Sequence, residues 1–366
     1  MTPRRPARTK QGPSGPSKSG KEGPSGPSKS GKSNFRVLAA PDKFRGTGTA
    51  REIAGAISRG SALAGVDCVE CPLADGGEGI LDALGGSNRT SLVTGPLGDA
   101  VIAPWRLSGG SAIIEMATAS GLTLLGGADN NDPLAASTTG TGELIANAID
   151  AGARRIVVGV GGSATTDGGF GALRAMYPLP RLRGIEIIVA CDVRTTFVDA
   201  ARIFAPQKGA SPTQVTLLQR RLERLAQVYR DEYGVDVTAL AGSGAAGGLA
   251  GGLAAIGAKL VDGFALVADE LALAERMRDV DLVITGEGFL DEQSFDGKVV
   301  GGVVELAAQV GVPVLAVVGD VYDDADTRVE TVALATRFGR ERALADTLEC
   351  VEQAVSEWLA ARRCNG

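Results

Sequence analysis

The clearest pattern along the chain is a series of short apolar runs, rich in β-branched residues, that alternate with segments of helical periodicity. FRVLAA at 35–40 and VDCVECP at 66–72 are predicted strands, and between them Thr49 and Glu52 form a capping box that opens a helix ending near Leu63. Four later runs have the same character: RRIVVGVG (154–161), GIEIIVACDV (184–193), DLVITGEG (281–288) and VPVLAVVG (312–319). Strands that alternate with helices indicate an α/β fold with parallel sheets.

The predicted strands end in glycines together with charged or hydroxyl-bearing residues. In a parallel sheet the carboxyl ends of the strands share one edge, where such folds bind their ligands. Glycine lets backbone N–H groups approach a ligand closely, and short hydroxyls can donate to phosphate oxygens. Six segments share this design: PDKFRGTGT (41–49), PLADGGEG (72–79), GGSATTDGG (161–169), CDV (191–193), APQKGA (205–210) and GEGFLDEQSFDGK (286–298).

The composition narrows the chemistry of these segments. The chain has 366 residues, enough for two domains, and it contains no histidine. A Ser-His-Asp triad and His-ligated metals are therefore excluded, and proton chemistry falls to Asp, Glu, Lys, Tyr or Cys. Carboxylates repel phosphate unless a cation intervenes, and Mg²⁺ binds one or two carboxylates together with phosphate oxygens. With Lys43, Arg45, Lys208 and Lys298 as positive partners, the segments suit phosphoryl transfer.

The cysteines and the apolar runs bear on location. Five cysteines form no disulfide framework, and the Cys68-x-x-Cys71 pair has no second such pair and no histidine beside it. We interpret the pair as two reduced thiols at a strand end and expect a cytoplasmic protein. The apolar runs fall short of the about 18 residues that a membrane-spanning helix needs, so no membrane partner is expected.

The net charge of −6 is unevenly distributed: residues 1–33 carry +7, which leaves −13 for the rest. This segment is almost entirely Gly, Pro, Ser and Lys, contains GPSGPSKSGK twice, and is expected to be a disordered basic tail. GPSKSGKS at 26–33 matches the P-loop pattern by accident, because no strand precedes it and Pro27 has no N–H. No aromatic residue interleaves the charges of the tail, so specific nucleic-acid binding is not expected.

Two glycine patterns leave a nicotinamide-dependent oxidoreductase as an alternative. Residues 159–164 fit G-x-G-x-x-A after a strand, and residues 242–247 fit G-x-G-x-x-G before GLAGGLAAIGA. The fingerprint also needs an acid about 20 residues on, at the end of a second strand. Glu186 lies inside a predicted strand, and Asp262 has no strand pattern around it. We therefore interpret the second run as a Gly/Ala helix packed against another backbone, or as a phosphate-facing helix N-terminus at Gly242 and Gly244.

Eight motifs in order resemble one known family: APDKFRG, LADGGEG, TGTGELI, VGGSATTDGGFGA, ACDV, FAPQKGA, GSGAAGGLAGGL and ITGEG-x-x-D-x-Q-S-x-x-GK. Over roughly residues 35–340 the chain closely resembles the bacterial type-one glycerate kinases. The resemblance implies ATP-dependent phosphorylation of D-glycerate to 2-phosphoglycerate, with 3-phosphoglycerate left open. A non-enzymatic metabolite-binding protein is a further alternative, and the oligomeric state is left open.

The resemblance also implies the domain organisation: two α/β domains with the active site in the cleft between them. One domain is Rossmann-like and discontinuous, at 34–75 plus 285–366. The other is inserted at 76–284.

Site roles follow from the matching motifs. Asp192 is the first candidate for the general base and Asp42 the second, with Lys208 and Lys298 on the transferred phosphoryl group. Lys43, Arg45, Asp75 and Glu78 are candidates for binding glycerate. ATP is expected on the Gly-rich loops and Mg²⁺ on carboxylates. The candidates for binding ATP are Gly161, Gly162, Ser163, Thr165, Gly242 and Gly244. The candidates for binding the metal are Asp167, Glu287 and Asp291. Two departures from the family pattern, Arg45 for a common Lys and Phe289 for a frequent Arg, concern substrate contacts.

Overall fold

A computed structural model describes residues 35–322 and 324–364, so the prediction of a disordered tail at 1–33 lies outside the described residues. The strands are β1 Arg36–Ala39, β2 Asp67–Glu70, β3 Arg89–Thr94, β4 Ala100–Ser108, β5 Ser111–Glu115, β6 Arg155–Gly159, β7 Glu186–Cys191, β8 Lys259–Asp262, β9 Leu282–Thr285, β10 Phe289–Leu290, β11 Val314–Val318, β12 Asp320–Val321 and β13 Glu330–Ala333. The helices are α1 Ala50–Leu63, α2 Ile80–Ala83, α3 Ala117–Ser120, α4 Thr139–Asp150, α5 Phe170–Ala175, α6 Asp199–Phe204, α7 Pro212–Tyr233, α8 Leu249–Ala255, α9 Gly263–Glu270, α10 Leu273–Arg278, α11 Val299–Val310, α12 Leu334–Phe338, α13 Arg340–Ala345 and α14 Thr347–Cys364.

Two large sheets organise the fold. The five-stranded sheet has the order β13-β11-β9-β1-β2 and is parallel throughout, so both ends of the described chain contribute to it. The six-stranded sheet has the order β3-β4-β5-β6-β7-β8. Its strands β5 to β8 are parallel to one another, whereas β4 pairs antiparallel with both β3 and β5. The mixed α/β class is confirmed, while the division into two domains stays a prediction.

All the strands predicted from apolar runs are present, and helix α1 begins at the predicted capping box of Thr49 and Glu52. One prediction about the second sheet was wrong. Asp262 ends β8, which pairs with β7 in the register Cys191↔Asp262, although no strand was expected there. Strand β8 is four residues long and only half-buried, so it lacks the apolar run by which its neighbours were recognised.

The Gly/Ala run forms a short 3₁₀ turn at Ala245–Gly248 followed by helix α8, and it packs closely against another backbone as expected. A Cβ at Gly247 would lie 2.0 Å from the carbonyl oxygen of Thr165, and one at Gly252 would lie 2.5 Å from that of Gly168. Helix α8 begins at Leu249, and the 3₁₀ turn before it has Gly244 as its N-cap, so a helix terminus lies at Gly244 but not at Gly242; its phosphate-facing role stays a prediction.

One apolar cluster contains residues of both sheets. It contains Leu38 and Val283 from the five-stranded sheet, Val157 and Ile188 from the six-stranded sheet, and Phe264 from α9. Cys68 and Cys71 are free thiols, as expected. Among the described residues, no helix is both long and apolar enough to cross a bilayer.

Candidate active site

Lys43 is the centre of a charged cluster that follows β1 and β2 in the chain. Its Nζ donates to the carbonyl oxygen of Glu78 at 2.8 Å and lies 3.7 Å from Asp75 Oδ1 and 3.9 Å from Asp42 Oδ1. Burial alone would lower the pKa of Lys43, but the carboxylates of Asp42, Asp75 and Glu78 raise it above its usual value. Lys43 is therefore charged and brings two strand-end carboxylates together.

The carboxyl of Asp42 is the more deeply buried of these two acids, at 9% exposure. Its Oδ1 accepts the backbone N–H of Lys43 at 2.7 Å. Burial raises the pKa of Asp42 to about 6, and the nearby charge of Asp75 adds to the rise. Asp42 therefore sits close to its protonation point at slightly acidic pH.

The loop at 75–79, which contains Asp75 and Glu78 of this cluster, packs against the six-stranded sheet. Its glycines permit very close contact with the backbone of that sheet. A Cβ at Gly76, whose φ is +93°, would lie 2.5 Å from Cα of Gly263. A Cβ at Gly161 would lie 2.8 Å from Cα of Gly77. Since Gly161 follows β6 and Gly263 follows β8, the loop lies against the carboxyl ends of the parallel strands.

Asp192 follows β7 at the same edge and lines a large cleft of about 1250 Å³ together with Gly242 and Asp262. Partial burial raises the pKa of Asp192 to about 6, and Asp75 raises it further, whereas Lys43 and Lys298 lower it. The charges of Asp75, Lys43 and Lys298 thus act on one carboxyl that remains open to the cleft. The structure brings these four predicted residues together from both sheets.

Glu287 and Lys298 belong to the segment after β9. Burial raises the pKa of Glu287 to about 7; a hydrogen bond from Ser294 and the charge of Lys298 oppose the rise, and the charges of Asp42 and Asp291 add to it. Oε1 of Glu287 is buried and has no hydrogen-bond partner among the described residues. Asp291 caps the following 3₁₀ turn, with its Oδ1 accepting from N and Oγ of Ser294 at 2.9 and 3.1 Å.

Lys208 lies elsewhere, beneath the loop at 161–167. Its Nζ donates to Ser163 Oγ at 2.7 Å and to the carbonyl oxygen of Thr165 at 2.6 Å, and the residue is only 2% exposed. Burial lowers the pKa of Lys208 to about 7, against the opposing effect of Asp167. This amine anchors the glycine-rich loop from below.

Asp167 orients the same loop. Its Oδ2 accepts from N and Oγ1 of Thr138 at 2.9 and 2.8 Å and from N of Gly171 at 3.2 Å, and its Oδ1 accepts from N of Gly169 at 3.1 Å. Ser137 Oγ also donates to Oδ2 at 3.5 Å, and five protein donors on one carboxylate leave little capacity for a metal ion. The geometry therefore favours a loop-orienting role over the predicted metal role.

The predicted nucleotide contacts are not equally available. Gly161 and Gly162 lie beside Glu78, since a Cβ at Gly162 would lie 2.0 Å from Glu78 Oε1. The hydroxyl of Thr165 is buried. The N–H of Gly244 already donates to the carbonyl oxygen of Thr195 at 3.0 Å.

Arg45 is exposed and, with Phe289, lines a small cavity away from the large cleft. It still acts on the cluster, because its charge lowers the pKa of Asp42.

Two site residues were missed by sequence reasoning. Asn131 Nδ2 donates to the carbonyl oxygens of Ala164 at 3.0 Å and Lys208 at 2.8 Å, so it ties two strand-end segments together. Glu115 Oε2 accepts the N–H of Gly79 at 3.0 Å and fixes the 75–79 loop from the end of β5. A signal for Glu115 existed in principle, since an acid ends the run SAIIE, but β5 itself was not predicted.

The residues present fit a magnesium ion only in part. Among residues 35–322 and 324–364, no three or more Cys, Asp or Glu side chains are grouped to hold a metal. Mg²⁺ needs only one or two protein carboxylates when phosphate oxygens and waters supply the rest. The buried, unpartnered Oε1 of Glu287 meets that need, with Asp291 close enough to affect its pKa.

The fold and this site define an α/β protein with a charged cluster where the edges of two sheets meet, and comparisons place it more closely. The family model described as the glycerate kinase family matches residues 37–177 and 178–361. The chain is 40% identical to glycerate 2-kinase of Escherichia coli K12, covering 79% of this chain and 86% of that protein. It is 39% identical to a glycerate kinase of Halalkalibacterium halodurans, covering 77% and 85%.

A crystal structure agrees with these relatives. A protein of Salmonella typhimurium LT2 assigned as glycerate kinase 2 superposes with a TM-score of 0.77 at 36% identity, covering 90% of this chain and 99% of that one. The chain therefore belongs to the glycerate kinase family, as the motif resemblance indicated.

Proposed function

We propose that this chain is an ATP-dependent glycerate kinase that converts D-glycerate to 2-phosphoglycerate, with 3-phosphoglycerate as the alternative product. Family membership and the names of the relatives support the activity, and the name of the Escherichia coli relative, glycerate 2-kinase, supports the 2-position. The observation that carries the proposal is that the charges of Lys43 and Lys298 both act on Asp192, which lines one large cleft.

Asp192 is proposed as the general base. A pKa of about 6 leaves its carboxylate ionised at neutral pH yet basic enough to accept a proton. A glycerate hydroxyl oxygen would attack the terminal phosphorus of ATP while its proton passes to Asp192 and ADP departs. Asp42 has a similar pKa, but it is buried and already accepts the N–H of Lys43, so it is the second choice.

The lysines would balance negative charge around the reacting groups. Lys298 would neutralise charge that develops on the transferred phosphoryl group, because electrostatic stabilisation is the main task in this chemistry. Lys43 would orient the glycerate carboxylate while it holds Asp42 and Asp75, and exposed Arg45 is the alternative. Lys208 is proposed to act only through the loop that it anchors.

Mg²⁺, when bound, would neutralise charge on the nucleotide phosphates. Glu287 is the proposed protein ligand, because its buried Oε1 has no partner among the described residues, and Asp291 is its neighbour. Asp167 would instead keep the glycine-rich loop in place through its five hydrogen bonds.

Incubation of the protein with ATP, Mg²⁺ and D-glycerate, followed by phosphorus NMR, tests the proposal. A new phosphomonoester signal that requires all three reagents is expected, and its coupling pattern distinguishes the 2- from the 3-product. Absence of any product would refute the kinase. A glycerate-dependent change in the absorbance of an added nicotinamide cofactor would then support the oxidoreductase.

A further inference from the structure

The cleft that contains Asp192 continues well beyond the charged cluster. From Asp192 and Gly242 it extends along α9 and α10 on one wall and along Phe295 and α11 on the other. Its volume of about 1250 Å³ exceeds the about 300–1,000 Å³ typical of pockets for single small ligands. A small hydroxy acid would occupy only a fraction of this space, so the remainder has room for a larger ligand.

The two ends of the cleft differ in charge. Acids line both ends, with Asp192, Asp262 and Asp296 at the inner end, but the described cations lie only there: Arg194 follows Asp192, and Lys298 is close enough to affect the pKa of Asp192. Among the described residues that line the outer end there is no lysine or arginine. That end instead carries acids, an amide and apolar groups, namely Ala268, Asp269, Leu273, Glu275, Glu305, Leu306 and Gln309.

This asymmetry fixes the direction in which a nucleotide could lie. A phosphate chain needs cations and hydrogen-bond donors to offset the acids of the cleft, and in the described part of the chain only the inner end supplies cations, so the acidic walls of the outer end would repel it. The same walls suit a neutral ring system that stacks on apolar side chains and donates hydrogen bonds to carboxylates from amino and hydroxyl groups. Phosphates therefore belong at the inner end, and the neutral part of the ligand belongs at the outer end.

We propose that the outer end of the cleft, between α10 and α11, binds the nucleoside of the phosphoryl donor and directs its phosphates toward Asp192 and Lys298. This inference rests on the proposed kinase function and adds the binding site of its nucleotide. Gln309 and Glu305, one helical turn apart on α11, supply the polar contacts of one wall. Ala265 on α9 lies on the opposite wall.

The test is to narrow the outer end with a bulky side chain and to measure binding of MgADP by isothermal titration calorimetry. Gln309→Trp is the test variant, and Ala308→Trp is its matched control, since both residues are exposed neighbours on α11 but only Gln309 lines the cleft. Ala265→Trp narrows the cleft from the other side, in case Gln309→Trp does not fold. Thermal unfolding establishes that each variant is folded.

We expect Gln309→Trp and Ala265→Trp to raise the Kd of MgADP by at least about tenfold, while Ala308→Trp binds like the wild type. The KM for glycerate should stay unchanged in all three variants. If the cleft variants bind MgADP like Ala308→Trp while the wild type phosphorylates glycerate, this inference fails and the proposed function stands. If the wild type neither binds MgADP nor forms product, both fail.

A second cavity provides a rival location and so a further control. It measures about 470 Å³, lies between α7 and the loop before α5, and is lined by Phe170, Thr166, Leu225 and three arginines of α7. Phe170 is 47% exposed, so Phe170→Ala should leave the fold intact. MgADP binding that is weakened by Phe170→Ala and insensitive to Gln309→Trp would place the nucleoside there and overturn the inference.

Discussion

Replacing Lys208 with methionine removes a buried amine while keeping the shape of the side chain. In the structure that amine donates to Ser163 Oγ at 2.7 Å and to the carbonyl oxygen of Thr165 at 2.6 Å. A hydrogen bond from a charged group contributes about 1.5–3 kcal/mol, so the two together contribute roughly 3–6 kcal/mol. On these bonds alone the variant would be strongly destabilised.

The cost of burying the charge opposes this contribution. Burial lowers the pKa of Lys208 from 10.5 to about 7, which corresponds to roughly 5 kcal/mol against the charged form. The two contributions nearly cancel at neutral pH, so we expect the free energy of unfolding of Lys208→Met to lie within about 2 kcal/mol of wild type. The loop at 161–167 loses its anchor, and turnover should fall by about 10²-fold because reacting groups are misplaced.

Urea unfolding and steady-state kinetics measure the two effects separately. Lys259→Met is the control, because Lys259 is exposed and its ion pair with Glu186 contributes at most about 1 kcal/mol. A Lys208→Met variant with wild-type turnover would refute the anchoring role. A loss of more than about 4 kcal/mol would show that the hydrogen bonds outweigh the burial cost.

The pH dependence of the free energy of unfolding tests the same argument about Lys208. Between pH 7 and 10 the unfolded chain keeps the proton of Lys208, while the folded protein has already released it. Stability therefore rises with pH wherever the unfolded state binds more protons. The wild type should become more stable relative to Lys208→Met over this range, and the difference should level off below pH 7.

Three further predictions concern the cleft and the tail. Asp192→Asn should lower turnover by at least about 10²-fold with unchanged thermal unfolding. The wild-type rate should fall as the pH decreases through about 6, where Asp192 becomes protonated, and the variant should not show this fall. A variant with a near-normal rate would show that another residue is the base. Glu287→Gln should raise the Mg²⁺ concentration for half-maximal rate, whereas Glu292→Gln, at an exposed neighbour, should not. Deletion of residues 1–33 should leave the rate unchanged, and a loss of activity would show that the tail takes part.

The strands that position the site residues could be predicted because each is marked by a pattern in its own short stretch of sequence. A buried parallel strand such as β6 or β9 is a short, continuous apolar run, and its polar ending marks the sheet edge. For the same reason the residues that follow β1, β7 and β9 could be selected as site candidates. Helix α1 was predictable because a capping box is a signal contained within four residues.

The strands and site residues whose roles depend on partners far away in the sequence could not be predicted. Strand β8 is half-buried and is defined by its pairing with β7, and β3 to β5 form an antiparallel segment that the alternating pattern does not indicate. Lys208 carries the same side chain whether it faces a phosphate or lies beneath a loop, and only the tertiary structure separates the two. Asn131 likewise has no local signal, because its role consists of contacts 33 and 77 residues away.

The 75–79 loop explains why a site made from two sheets needs so many glycines. Lys43 after β1 and Asp75 after β2 act on Asp192 only if that loop lies directly on the ends of β6 to β8, and Gly76 and Gly263 meet there through their backbones. Any side chain at Gly263 would put its Cβ 2.0 Å from the carbonyl oxygen of Asp75. Separating the two would move Asp75 and Lys43 away from Asp192, which would weaken the electrostatic coupling before it disturbed either apolar core. The glycines are therefore needed both for the fold and for the charges of Asp75 and Lys43 to act on Asp192.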